Sequence, residues 1–112
     1  MAETFNNQST KLTSTSGTYV YQSPNASGNR AIVLSCLVAN VDGSSTATLT
    51  LYITSSSSST ALSHICKTIA VPADASIELI PNKVVLTQGQ KLRAVAGTAN
   101  DLDVTVSVLE IT

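Results

Sequence analysis

The chain carries one imidazole, His64, and two thiols, Cys36 and Cys66. Covalent or acid–base catalysis requires a nucleophile, a base and an orienting group that converge. His64 is flanked by Ser63 and Ile65, both ordinary strand residues, and neither supplies a catalytic partner. His64 and Cys66 lie two residues apart, a spacing that points both the same way from an extended strand. With Cys36 they make three ligands, one short of a structural zinc site, and cysteines thirty residues apart match no zinc signature. Two readings of the thiols stand. Both are small buried hydrophobes in neighbouring strands, or they join in a disulfide once the protein meets oxidising surroundings.

The seven acidic residues fall mostly at turns: Asp42 before Gly43, Asp74 after Pro72-Ala73, and Asp101 after Asn100. An aspartate in a turn bonds its own backbone, which accounts for these positions without catalysis. A calcium site drawn from Asp42, Asp74, Asp101 and Asp103 lacks the loop spacing of an EF-hand. A glycosidase would set two carboxylates in a cleft, and no glycine-rich phosphate loop is present. Glycan stacking would have to draw on Tyr19, Tyr21 and Tyr52, with Phe5 and no tryptophan, and tyrosines serve equally as packing residues or interface anchors. The inventory therefore predicts a protein that is not an enzyme, with no catalytic residue, metal or cofactor.

Composition narrows the class further. In 112 residues, 43% are hydrophobic and only 12% charged, about half the usual charged share. Sixteen serines and fifteen threonines supply polarity instead, and threonine suits a pleated surface better than a helix interior. Six scattered basic residues and a net charge of −1 provide no stripe for nucleic acid. No apolar run has the length of a membrane span. The N-terminal MAETFNNQSTKLTSTSG lacks the basic and apolar regions of a signal peptide. Synthesis and assembly in a cytoplasm are the expectation, in which case the sequons at Asn7 and Asn25 are chance matches.

The elements that would position these groups are short strands. Apolar residues recur with period two between clusters of Gly, Pro, Asn, Asp and Ser. In TATLTLYIT, residues 46–54, Ala47, Leu49, Leu51 and Ile53 share one face and Thr46, Thr48, Thr50 and Tyr52 the other. Asp42-Gly43 before it is a hairpin signal. Strands are also expected at Lys11–Thr13, Thr18–Gln22, Arg30–Val41, Leu62–Val71, Ser76–Ile80, Lys83–Thr87, Gln90–Gly97 and Leu102–Ile111. The five serines 55–59 read as a loop tip. The pattern predicts an all-β protein: a single antiparallel β-sandwich over residues 11–112, jelly-roll-like, of about eight strands. Residues 1–10, polar and without pattern, are expected to be a flexible N-terminal arm anchored by Phe5.

Two strands are apolar on both faces. Ile32, Leu34, Cys36 and Val38 alternate with Val33, Leu37 and Val41, while Leu102, Val104, Val106 and Val108 are followed by Leu109 and Ile111 on the opposite face. A sheet with one face in water does not read this way. Either a bulge changes the phase, or a second surface is covered by another chain or by the arm. Phe5, Val33, Leu37, Leu109 and Ile111 are thus the candidate interface residues.

From Lys11 onward the chain resembles small β-sandwich virion proteins of tailed bacteriophages. The stretches that carry the resemblance are TYVYQSPNASGNRAIVLSCLVANVDGSSTATLTLYIT and KTIAVPADASIELIPNKVVLTQGQKLRAVAGTANDLDVTVSVLEIT. They share a Tyr-containing strand, a Pro turn, an apolar strand ending in Ala-Asn, a Thr-rich TLTLYI, and a terminal strand of alternating valines. The segment SSSSSTALSHIC, residues 55–66, departs from the pattern. The resemblance implies a virion component assembled in the host cytoplasm: a capsid decoration or cement protein, a head-fibre module, or a neck or tail accessory protein. It implies a homo-oligomer, a trimer being favoured, that contacts the major capsid protein or another virion protein, without nucleic acid or membrane. A host-surface glycan-binding module of a fibre or tail is the alternative.

Overall fold

A computed structural model describes residues 2–112. Nine strands run in chain order: β1 (Glu3–Leu12), β2 (Thr18–Gln22), β3 (Arg30–Asn40), β4 (Ala47–Thr54), β5 (Ala61–Val71), β6 (Ser76–Glu78), β7 (Val84–Leu86), β8 (Lys91–Ala96) and β9 (Leu102–Ile111). One antiparallel sheet has the order β1-β9-β3-β6, with β7 also on β3, and the other has β2-β8-β4-β5. β6 and β7 occupy successive stretches of the same β3 edge. Taken as one interrupted strand, they complete two four-stranded sheets. Every connection except β4–β5 then crosses between sheets, as in a jelly roll.

The alternation read from the sequence creates the core. Leu49 and Leu51 of β4, Leu92, Ala94 and Ala96 of β8, and Val104, Val106 and Val108 of β9 are all sealed between the sheets. Burying such a side chain is worth about 1.5–3 kcal/mol, so the sandwich is held chiefly by its inner faces. Asn40, also buried, closes one end. Its Nδ2 donates to the carbonyls of Ser45 and Val71, both at 2.9 Å, and its Oδ1 accepts the Asp42 amide at 2.9 Å. A buried amide so fully paired carries no desolvation debt.

Bulges set the phase of three strands, β3, β2 and β5. The β3–β9 register shifts between Val33 and Ser35, so Leu34 is skipped. Ala31 and Val33 face the core before it, and Cys36 and Val38 after it. Val33, expected at an interface, is therefore fully buried in the core. The β2–β8 shift between Tyr19 and Tyr21 separates two tyrosines expected on one face: Tyr19 is exposed and Tyr21 buried. β5 is irregular at three points along β4, including Thr68 at a positive φ of 52°. A β-branched residue is strained there, and the Thr68 amide is held by Thr50 Oγ1 at 2.9 Å.

The N-terminal segment departs most from expectation. Residues 3–10, expected as part of a flexible arm, form most of β1, which pairs with β9 through ten consecutive partners from Glu3↔Ile111 to Leu12↔Leu102 without a shift. Its composition concealed this because residues 3–9 are exposed on both faces. β1 is fixed by its ladder rather than by burial, and only at Leu12 does it reach the core. Deleting residues 2–10 should therefore lower the thermal midpoint by at least about 4 °C, the equivalent of roughly 1 kcal/mol in a domain of this size. An unchanged midpoint by calorimetry would show that the β1 ladder contributes nothing to stability.

Candidate functional site

The residues singled out for chemistry do not converge. Tyr52, outward from β4, pairs with His64, whereas inward Leu51 pairs with Cys66. The bulge at Ile65 thus puts His64 and Cys66 on opposite faces, contrary to their two-residue spacing. Cys66 packs against the core and Cys36 lies within it, and both are free thiols. Burial pushes the Cys36 thiol up to about 12, with the Glu78 carboxylate and Cys66 adding to the effect. Burial raises Cys66 as well, against a hydrogen bond with the Leu51 backbone. Thiols held protonated are poor nucleophiles. Asp42 caps its own turn, its Oδ1 accepting from the amide and the hydroxyl of Ser44 at 3.0 and 3.2 Å. Among the described residues, no three of His, Cys, Asp and Glu gather as a metal would require.

What the fold does assemble is two transverse rows, one on each outer face. On the β1-β9-β3-β7 sheet, Phe5 pairs with Leu109, Leu109 with Ile32, and Ile32 with Val85. All four side chains stand away from the core. Phe5 is 76% exposed and Val85 53%, while Leu109 and Ile32 are half-buried. Ile111 lies beside this row on β9, between Glu3 and Arg30. Leu37, also exposed, stands on the same face farther along β3. Phe5, Leu37, Leu109 and Ile111 thus share one outer face, and Val33 is excluded by the bulge. Ile32 and Val85 belong to the row but were missed, since only cross-strand register brings them to Leu109.

The second row crosses the other sheet: Tyr19 pairs with Arg93, Arg93 with Tyr52, and Tyr52 with His64. Arg93 Nη1 donates to Tyr52 Oη at 2.5 Å, and the Tyr52 and His64 rings sit 5.3 Å apart. Lys91 Nζ lies 4.4 Å from the Tyr19 ring centre, and the Arg93 guanidinium 5.6 Å from it. These cation–π contacts engage the Tyr19 ring, which is still part-exposed, and Tyr52 is buried beneath its neighbours. Tyr21 points inward, its hydroxyl donating to Glu110 Oε2 at 2.5 Å. Burial, and then this carboxylate, raise its phenol.

An open hollow over β1 and β9 is lined by Ser9, Lys11, Asp103 and Thr105. Its charges are already matched, since Lys11 Nζ lies 3.1 Å from Asp103 Oδ1.

No family model matches the chain, and no curated protein does. Among solved structures, one from work titled "Bacillus endospore appendages form a novel family of disulfide-linked pili" is similar over 97% of this chain and 84% of that one, with a TM-score of 0.53 and 14% identity. At that identity the likeness is one of fold, an all-β sandwich. It brings no evidence of a phage protein.

The thiols yield a prediction with a definite sign. Between the ordinary thiol value of 9.0 and about 12, the folded chain keeps a proton on Cys36 that the unfolded chain releases. Stability should therefore hold up to about pH 9 and fall as pH rises toward 12, with Tyr21 adding to the loss at the alkaline end. Cys36→Ala should flatten this slope while costing about 1–3 kcal/mol at neutral pH through the cavity it leaves. Denaturant titrations from pH 7 to the alkaline limit would check both effects. An equal alkaline slope in the variant would contradict the assignment.

Proposed function

We propose that this chain is a non-enzymatic structural subunit of a larger protein assembly, working by contact with other chains. The observation that carries the reading is the row Phe5–Leu109–Ile32–Val85, apolar residues from four strands aligned on an outer face. Scattered exposed hydrophobes are normal on soluble proteins, but a contiguous patch marks an interaction site. The β1 edge adds to it. Ten regular residues without a bulge or proline leave an unpaired strand edge of the kind that proteins usually guard, whereas the β5 edge of the other sheet is broken by bulges.

The setting suggested by the sequence resemblance is a tailed-phage particle, with the chain decorating or stabilising the virion against the major capsid protein or another virion protein. The sandwich shared with a protein from work on pili supports a structural role of the same general kind. A trimer or other homo-oligomer fits either setting. Glycan recognition on a fibre or tail has less support, because Tyr52 is buried and the exposed Tyr19 already carries Lys91 and Arg93 against its ring.

Gradient fractionation of a culture producing the chain tests this reading. The chain should sediment with assembled particles or fibres, and Phe5→Asp with Leu109→Asp should move it to the free fraction while its β-sheet circular dichroism is kept. A wild-type chain found only in the free fraction would refute the structural role.

A further inference from the structure

We propose that the outer face of the β1-β9-β3 sheet receives a second copy of this chain, the two sheets packed face to face about a two-fold axis running along β9. The inference rests on the reading of the chain as an assembling structural protein, and it names the first partner. On this face β9 is the central line, with β1 on one side and β3 on the other. Two adjacent rows matter. In one, Ile111 lies between Glu3 and Arg30; in the next, Leu109 lies between Phe5 and Ile32.

A two-fold rotation about β9 exchanges the two sides. It lays Glu3 of one copy over Arg30 of the other, and Arg30 over Glu3. The same rotation lays Phe5 over Ile32 and brings Leu109 to Leu109 and Ile111 to Ile111. Across these three strands every position in both rows thus meets a compatible one, opposite charges twice and apolar groups elsewhere, while Val85 on β7 lies beyond the partner's β1 edge. An isologous contact requires such self-complementarity, and charge placed with opposite sign on either side of the axis selects against other orientations. Neither Glu3 nor Arg30 joins an ion pair among the described residues, whereas Lys11 and Asp103, farther along the same face, are paired within the chain. Aligned packing of two sheets is the ordinary way such faces meet.

Size sets the expected strength. The three strands that overlap, spaced about 4.8 Å apart and some ten residues long, cover roughly 480 Å². Two such faces bury about 950 Å², in the range of weak, transient complexes. Micromolar association is therefore expected rather than an obligate dimer.

Sedimentation velocity on the full chain, across micromolar concentrations, tests the contact by charge reversal. Wild type should pass from monomer to dimer. Glu3→Arg and Arg30→Glu should each weaken the dimer by roughly tenfold or more, because each sets two like-charge pairs face to face. The double reversal E3R/R30E should restore the affinity to within about threefold of wild type. Both residues are exposed, so circular dichroism should report an unchanged fold. A monomer at all concentrations, an oligomer indifferent to reversal, or a double variant no better than the singles would each overturn the proposal. Growth along the free β1 edge would appear as the indifferent oligomer. A chain that stays monomeric alone yet enters the particle fraction would refute this contact and leave the structural role intact. A dimer that obeys the reversals but never enters an assembly would do the opposite.

Discussion

Because the ladder between β3 and β9 skips Leu34, Val33 and Cys36 both turn inward although they stand three residues apart. A strand of uniform period would have sent one half of its apolar residues to solvent. With the skip, Ala31, Val33, Cys36 and Val38 all meet the opposite sheet, and the outer side of β3 carries Arg30, Ile32, Ser35 and Leu37 among others. β9 lies against β3 along its whole length and in turn holds β1, so the phase of this ladder decides which residues of the sheet are core and which are surface. The carboxylate of Glu78 serves the same strand at the break between β6 and β7, accepting the Cys36 and Ile80 amides at 2.8 and 2.9 Å. Unpaired amides there would cost more than any single apolar contact on the face returns.

Much of this architecture is legible in the residues. Period-two patterning locates β4, β8 and β9, and glycine, proline, asparagine and aspartate mark the turns between strands. The two-faced apolar pattern of β3 and β9 admits a bulge or a covered surface; the bulge is present and removes Val33 from the outside, while Leu109 and Ile111 stand on the outer face. Bulge positions are not legible, because one skipped residue depends on the partner strand and leaves no local mark. That is why Tyr19 and Tyr21, or His64 and Cys66, part company. β1 is illegible for a different reason. Pattern recognition relies on a buried face, and Glu3–Ser9 have none; only the backbone ladder to β9 makes them a strand.

The two outer faces differ in kind. On one, Tyr19, Arg93, Tyr52 and His64 are linked by hydrogen bonding, ring packing and cation–π contact, so that face carries a polar and aromatic row. On the other, Phe5, Leu109, Ile32 and Val85 meet no polar partner and remain in contact with water. An apolar row in water is a standing driving force for association, in proportion to the area it can remove from solvent. The chain is accordingly asymmetric: one sheet faces solvent at low cost, and the other gains by being covered.

The most direct measurement of that asymmetry is hydroxyl-radical footprinting of the chain, dilute and then assembled. Covering of the β1-β9-β3-β7 face should suppress modification of Phe5, Leu109, Ile32 and Val85, while Tyr19 and Leu62 on the other sheet stay as reactive as in the dilute protein. Undiminished modification of Phe5 and Leu109 in the assembled state, with protection at Tyr19 or Leu62 instead, would contradict the account.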